Sequence, residues 1–177
     1  MAGFSPPFSL PFSGPVARCQ RAYNPPVTTV GELGEFPLIE RIASAVQRAS
    51  LAAPTTAGFE LALGIGDDAA AWRVAHGLEV TTTDTAVAGV HFTEQTTSWA
   101  DLGWRIWAAN VSDVISMGAV PLVGVVTLGL PPALDVTAID DLYQGMIEAC
   151  HAYNTLIAGG DIVTAREIFV TVALTGV

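Results

Sequence analysis

The longest uncharged stretch of the chain runs from Val114 to Leu134 and is long enough to cross a bilayer. Three glycines and three prolines interrupt it, at positions 118, 121, 124, 129, 131 and 132. Proline lacks a backbone donor, and glycine weakens a helix. A helix end, a turn and a buried strand therefore explain this stretch better than a membrane span. We predict a cytoplasmic protein that has no membrane contact.

The balance of charges excludes several classes of function. The 177 residues include 17 acidic and 7 basic side chains, a net charge of −10, and every basic residue is an arginine. Without lysine there is no Walker A motif, no protein-kinase strand lysine and no Schiff base. The negative charge also argues against a nucleic-acid partner, which needs a basic surface. Two cysteines, Cys19 and Cys150, are too few for a disulfide framework, so we expect free thiols.

Periodicity and turn signals predict one α+β domain. Prolines crowd the start of the chain, and we expect residues 1–30 to be a disordered extension and residues 31–177 to fold. The predicted helices are 35–50, 98–118 and 137–153, the last two opened by capping boxes at Ser98 and Thr137. The predicted strands are 69–74, 78–83, 120–130, 156–158 and 168–174, the first two joined by a turn at His76 and Gly77.

This mixed order of elements indicates helices layered on one face of a mixed sheet. Hydrophobic residues make up 51% of the sequence, so we expect the other face of the sheet to be apolar. The sheet of a second copy of the chain would cover that face.

Five aspartates, Asp67, Asp68, Asp84, Asp113 and Asp161, fall where strands or helices meet loops. Clustered carboxylates repel each other, and Arg73 is the only arginine between Ala49 and Trp104. Such oxygen-rich groups favour Mg²⁺ or Ca²⁺. For any one of these aspartates, a role as a turn residue or helix cap explains the position as well.

Helical geometry distinguishes Asp113 from the other aspartates. A step of about 100° per residue from Ser98 places Asn110 and Asp113 on the same inward stripe as Ile106 and Met117. Polar groups in that position cost stability unless they bind something. The pattern therefore favours a ligand site over a purely structural hydrogen-bonded pair.

The glycine-rich segments GIGDDAA and AGGD allow a close approach of the backbone to a phosphate. Neither segment fits a P-loop or a dinucleotide fingerprint, and each alone is more often a tight turn. In a chain without lysine, metal ions would have to neutralise a bound polyphosphate, which indicates metal-dependent phosphoryl transfer. His91, in the loop after Asp84, is by chemistry alone more often an ordinary loop histidine than a substrate contact.

Five segments occur in the order and spacing of one known family: GELGEFPLIERI, LGIGDDAA, TTTDTAVAGVHF, DLGWRIWAANVSDVISMGAVP and LIAGGD. Over residues 31–177 the chain resembles the N-terminal half of the thiamine-monophosphate kinases. These enzymes belong to the superfamily of aminoimidazole-ribonucleotide synthetase and selenophosphate synthetase. The resemblance implies a four-stranded sheet that pairs with the sheet of a second copy into a β-barrel dimer.

The resemblance also implies a function and a set of residues. Members transfer the γ-phosphoryl group of ATP to thiamine monophosphate with several Mg²⁺ ions, and no catalytic residue acts apart from the metal ligands. The implied metal ligands are Asp68, Thr82, Thr83, Asp84, Asp113 and Asp161. The implied ATP contacts are Tyr143, Gly160 and Asp161, and the implied substrate contact is His91.

Two departures from the family pattern qualify the resemblance. Ile162, Val163 and Thr164 follow the Gly-Gly-Asp segment, where the family has Thr-Thr-Arg, so a nucleotide contact from Arg166 is in doubt. The C-terminal domain of the family is also missing, which indicates a fragment or a truncated product that is inactive alone. The alternatives are a selenophosphate-synthetase-like or hydrogenase-maturation-like enzyme, or a non-catalytic dimerisation module.

Overall fold

Thr28 already belongs to the folded part of the chain. The computed structural model describes residues 28–177. The main-chain oxygen of Thr28 accepts a hydrogen bond from Val136 N–H at 3.1 Å, and Thr29 forms a β-bridge with Asp135. The predicted disordered extension therefore lies outside the described residues, except for its last three residues, which belong to the folded domain.

The described residues contain four α-helices: α1 at Val30–Leu33, α2 at Glu35–Arg48, α3 at Trp99–Ser116 and α4 at Val136–Tyr153. The Ser98 hydroxyl accepts a hydrogen bond from Asp101 N–H, which confirms the predicted cap of α3. Helix α4 begins earlier than predicted, because its N-cap is Asp135, whose carboxylate accepts from Thr137 N–H at 2.9 Å. None of the described helices combines the length and apolarity that crossing a membrane requires.

The strands form two sheets. Strands β1 at Glu60–Leu63 and β2 at Ala71–Arg73 make a small antiparallel pair. The main sheet has the order β3-β6-β4-β5, from strands β3 at Val80–Val87, β4 at Pro121–Leu130, β5 at Leu156–Thr164 and β6 at Phe169–Gly176. Strands β4 and β5 are parallel and are connected by α4, whereas the other pairs are antiparallel. The mixed α+β architecture with a four-stranded sheet is confirmed.

Two strand predictions were wrong. The expected hairpin about His76 and Gly77 does not form, because β2 pairs with β1 while β3 pairs with β6 at eight consecutive positions. The long partner β6 satisfies far more of the main chain of β3 than the three residues of β2 could. Strand β5 also continues past Ala158 to Thr164, because β4 pairs with it along that length, so the Gly-Gly-Asp segment lies within a strand rather than after one.

The two faces of the main sheet differ. Val126, Leu128, Val170, Val172 and Leu174 are buried in one core with α3 and α4, so these helices cover one face. The opposite face of β3 and β6 carries hydrogen-bonded threonine pairs, Thr81 with Thr175 and Thr85 with Thr171. The prediction of an apolar second face was therefore wrong for β3 and β6, because this face carries paired threonine hydroxyls there.

Candidate functional site

A cleft of about 700 Å³ lies where α2, α4, β4 and β5 meet the loop between β1 and β2. Predicted site residues from three separate segments line it: Asp68 from the loop, Tyr143 from α4, and Gly160 with Asp161 from β5. Asp67 lines it as well. The structure thus brings the two glycine-rich segments and the predicted nucleotide-contacting tyrosine to one cavity, whose size suits a small-molecule ligand.

The local conformation of the loop presents carboxylates to this cleft. Gly66 has φ +128°, a conformation that side-chain-bearing residues rarely adopt, and it turns the chain directly before Asp67. The carboxylate of Asp67 accepts a hydrogen bond from Asp68 N–H at 2.8 Å. Asp68 has no such internal partner among the described residues, and its side chain is exposed. The loop therefore leaves the oxygens of Asp68 available to a ligand.

Gly160 gives β5 a close approach to β4. A Cβ atom at Gly160 would lie 1.9 Å from the main-chain oxygen of Val126, so no other residue fits without moving the strand. At the neighbouring Gly159 the nearest atom would be 3.6 Å away, which is ordinary contact. Of the two glycines, only Gly160 is required by the packing of the sheet.

A second group of predicted residues lies on β3 and the end of α3. The Thr82 hydroxyl donates a hydrogen bond to the carboxylate of Asp113 at 3.0 Å. Asp84 follows on the same face of β3, two residues along. These residues combine two carboxylates and a hydroxyl on the helix-covered side of the outer strand.

Asp113 faces the sheet as predicted, through its hydrogen bond with Thr82, but the burial that the prediction implied was wrong. Asn110 is fully buried, but Asp113 is exposed, and Met117 further along the stripe is 72% exposed. The last turns of α3 extend past the buried core, so the stripe that is buried at Ile106 reaches solvent near Asp113. Asn110 is the buried polar residue of the pair. Its side-chain nitrogen donates to the Ile106 oxygen at 2.9 Å, and its side-chain oxygen has no hydrogen-bond partner among residues 28–177.

Thr83 points away from this second group. Its hydroxyl donates to the main-chain oxygen of Val172 at 3.0 Å, and successive side chains of a strand lie on opposite faces. A ligand role for Thr83 beside Thr82 and Asp84 would therefore fall to its main chain.

His91 is exposed in the loop after β3 and is held at both its ring and its main chain. The imidazole Nδ1 accepts a hydrogen bond from Val87 N–H at 3.1 Å, and the Arg105 guanidinium donates to the His91 main-chain oxygen at 3.2 Å. Because Nδ1 is an acceptor here, the neutral ring carries its proton on Nε2, which remains free to donate. Sequence reasoning did not find the role of Arg105.

The two groups lie at opposite edges of the main sheet. The register runs from Asp84 to Val172, then to Val126, then to Gly160, which is three strand spacings or about 14 Å. Within residues 28–177, no three His, Cys, Asp or Glu side chains converge closely enough to hold a metal ion. The predicted metal ligands therefore form two separate sets within one copy of the chain.

Neither set has an arginine partner in the described part of the chain. The ion pairs there join Arg41 to Asp140 and Arg73 to Glu60, so the carboxylates of Asp68, Asp84, Asp113 and Asp161 are not among them. Uncompensated carboxylate and hydroxyl oxygens are the donors that Mg²⁺ prefers. The donors at each edge therefore match a hard divalent cation in their chemistry, but within residues 28–177 neither set alone brings three acidic side chains together.

Sequence reasoning missed the wall of the cleft that α2 supplies, including Glu35 and Phe36. The helical periodicity of residues 35–50 identified the buried side of α2 but not the surface that its first turn presents to a neighbour. On the α4 wall, burial raises the pKa of the Tyr143 hydroxyl well above its ordinary value. Tyr143 therefore faces the cleft as a neutral phenol.

A comparison with models of known families identifies the class of protein to which this fold and its two acidic edges belong. Residues 66–177 match the model of the AIR synthase related protein, N-terminal domain, and the chain belongs to that family. Within it, the chain is similar to thiamine-monophosphate kinases. That of Bacillus subtilis is 39% identical over 116 residues, covering 64% of this chain and 36% of the relative. That of Synechococcus elongatus is 33% identical over 150 residues, covering 84% of this chain and 40% of the relative.

A solved structure, AaThiL complexed with AMPPCP and TMP, is 33% identical and superposes with a TM-score of 0.55. The match covers 82% of this chain and 42% of that one. The chain thus spans well under half the length of the relatives that it matches.

Proposed function

We propose that the chain is the N-terminal part of a thiamine-monophosphate kinase, which transfers the γ-phosphoryl group of ATP to thiamine monophosphate and yields thiamine diphosphate and ADP. The observation that carries the proposal is the single cleft to which the Asp67–Asp68 loop, Tyr143 and the Gly160–Asp161 segment all contribute. The similarity to thiamine-monophosphate kinases, and to a structure described with AMPPCP and TMP, supports it.

In this proposal the chain holds several Mg²⁺ ions through its two acidic sets. Asp68 and Asp161 would be ligands at the cleft, and Thr82, Asp84 and Asp113 would be ligands at the outer strand β3. Bound Mg²⁺ would neutralise phosphate charge that a chain without lysine cannot neutralise itself. We propose no covalent intermediate on any side chain.

The remaining residues bind and orient the two substrates. Gly160 would contribute its main-chain groups to the phosphate site, while its missing Cβ serves the close packing against β4. Tyr143, as a neutral phenol, would form part of the nucleotide-binding wall. His91, with Nδ1 engaged by Val87 N–H, would donate from Nε2 to the phosphate of thiamine monophosphate. Catalysis then rests on positioning and on neutralisation of charge.

We further propose that two copies pair through their main sheets into a β-barrel. Both outer strands, β3 and β5, have one edge without a strand partner among the described residues, and open edges favour pairing. Residues 31–177 would then form an ATP- and Mg²⁺-binding dimerisation domain, in a cytoplasmic enzyme. A molecular mass in solution equal to one chain would contradict the dimer.

The direct test measures thiamine diphosphate formed from thiamine monophosphate, ATP and Mg²⁺. The 177-residue chain is assayed alone and after addition or fusion of the C-terminal half of a relative. We expect turnover with that half present and a loss of at least roughly a hundredfold in Asp113→Asn, as expected when a charge-stabilising group is removed. Asp141→Asn, an exposed aspartate on α4, is the matched control and should keep full turnover.

Thiamine diphosphate formation that survives in Asp113→Asn would contradict the assignment of Asp113 as a metal ligand. Absence of thiamine diphosphate in the fused protein would contradict the proposed function itself. Activity of the fusion together with inactivity of the chain alone would identify the chain as an incomplete enzyme.

A further inference from the structure

Phe36, in the first turn of α2, is 76% exposed and lines the same cleft as Asp67, Asp68 and Asp161. A single exposed apolar side chain is ordinary on a protein surface, so its exposure alone indicates nothing. Its location is the informative part, because Phe36 is a large aromatic ring in the lining of a cleft that also contains carboxylates.

The helix that carries Phe36 is fixed to the body of the domain. Leu38 is fully buried, and the Arg41 guanidinium donates two hydrogen bonds to the Asp140 carboxylate on α4, at 2.6 and 2.5 Å. Upstream, Val30 N–H donates to the Leu134 oxygen at 2.8 Å. The backbone that carries Phe36 is therefore fixed before any ligand arrives, which lowers the entropic cost of binding.

The cleft has two chemically different sides. Ile39 and Ile42 of α2 and Tyr143 of α4 contribute apolar surface together with Phe36, and Glu35 is the one acidic residue of α2 in this lining. Asp67, Asp68 and Asp161 supply the acidic side. A nucleoside triphosphate is divided in the same way, because its base has flat apolar faces while its phosphates carry negative charge and metal ions.

We infer that Phe36 stacks on the base of the bound nucleotide and so fixes its orientation, with the phosphates directed to Asp68 and Asp161. This inference rests on the proposed function, since it assumes that the cleft binds a nucleoside triphosphate. Stacking uses the π-face that every base has, so the contribution of Phe36 is the same for adenine and guanine.

Calorimetric titration of the 177-residue chain in Mg²⁺ with ATP, GTP and inorganic tripolyphosphate tests this inference. Phe36→Ala should weaken ATP and GTP binding by the same factor, roughly tenfold, which is the effect of losing one stacked base. Tripolyphosphate has no base, so its affinity should not change. Phe36→Tyr should bind both nucleotides as the unmodified chain does. Leu78→Ala, at a leucine that is 83% exposed and outside the cleft lining, is the matched control and should change nothing.

Wild-type affinity for ATP in Phe36→Ala would overturn the inference and leave the proposed function intact. An equal loss of tripolyphosphate affinity would also overturn it, since the substitution would then act on the fold or the phosphate side. Conversely, ATP binding that depends on Phe36 in a protein that forms no thiamine diphosphate would uphold the inference and contradict the proposed function. A chain that binds none of the three probes would contradict the inference, while formation of thiamine diphosphate by the fused protein would still decide the proposed function.

Discussion

The two edges of the main sheet carry the same kind of side chain in different surroundings. At the β5 edge, Asp161 and the Asp67–Asp68 loop line a cavity, and an apolar wall from α2 and α4 lies on its other side. At the β3 edge, Asp113 is exposed and accepts a hydrogen bond from Thr82, and an exposed histidine follows in the next loop. The first arrangement can enclose a ligand, whereas the second can only contribute to a site that something else completes.

This difference suggests that the two edges bind different parts of the substrates. A nucleotide, which has a large apolar part, suits the β5 edge, where apolar residues of α2 and α4 line the cleft. A phosphate group and its metal ions, which need oxygens and a donor, suit the open β3 edge. The three predictions below test this division, beginning with the largest expected effect.

Gly160→Ala should be the most damaging change at the β5 edge. A Cβ atom there would lie 1.9 Å from the Val126 oxygen, and a backbone atom cannot move aside without disturbing the pairing of β4 with β5. We expect a loss of about 3 kcal/mol in the free energy of unfolding, measured by urea denaturation. Gly159→Ala, with its nearest neighbour 3.6 Å away, is the control and should cost much less. Equal stability of the two variants would show that β5 approaches β4 less closely than described.

His91→Ala should act at the β3 edge alone. In the proposed function it removes one hydrogen bond to a charged phosphate, so KM for thiamine monophosphate should rise roughly tenfold in the active form of the protein. The Kd for ATP, measured by calorimetry, should stay the same. His76→Ala, at an exposed histidine in the segment between β2 and β3, is the control. A rise in the Kd for ATP without a change in KM for thiamine monophosphate would reverse the assignment of the two edges.

The parts of the fold that the sequence predicted are those determined by nearby residues. The apolar periodicity of α2 and the cap at Ser98 involve contacts within a few residues, and both were confirmed. The pairing of β3 with β6 joins residues about ninety positions apart, for example Thr83 with Ala173, and no local pattern specifies it. His76 and Gly77 do favour a local turn, but β3 pairs with the distant strand β6 instead.

The same distinction holds for the candidate site. The Gly-Asp segments were recognisable because glycine and aspartate have strong local preferences. The burial of Asp113 was predicted wrongly, because helical phase gives the direction of a side chain but not the point at which the core ends. Phe36 was not identified as a cleft residue, because the cleft that it lines is completed by a loop about thirty residues away.

The smallest predicted effect concerns the pH dependence of stability at the β5 edge. Burial raises the pKa of Tyr143 in the folded chain above the value near 10 that an unfolded chain would show. Below pH 10 the phenol is protonated in both states, so it adds no pH dependence there. Above pH 10 the unfolded state loses the proton first, and the free energy of unfolding falls as the pH rises.

At pH 10.5 this contribution of Tyr143 amounts to about 1 kcal/mol. Between pH 9 and pH 10.5 the unmodified chain should lose about 1 kcal/mol of stability through this group. Tyr143→Phe lacks the titrating group, so its loss over the same range should be smaller by that amount. Urea denaturation at both pH values measures the difference, and Tyr153→Phe, at the half-exposed tyrosine that ends α4, controls for general alkaline effects. Identical pH dependence in the unmodified chain and Tyr143→Phe would mean that the phenol reaches water in the cleft. The burial of Tyr143 in the cleft wall, on which the comparison of the two edges draws, would then be wrong.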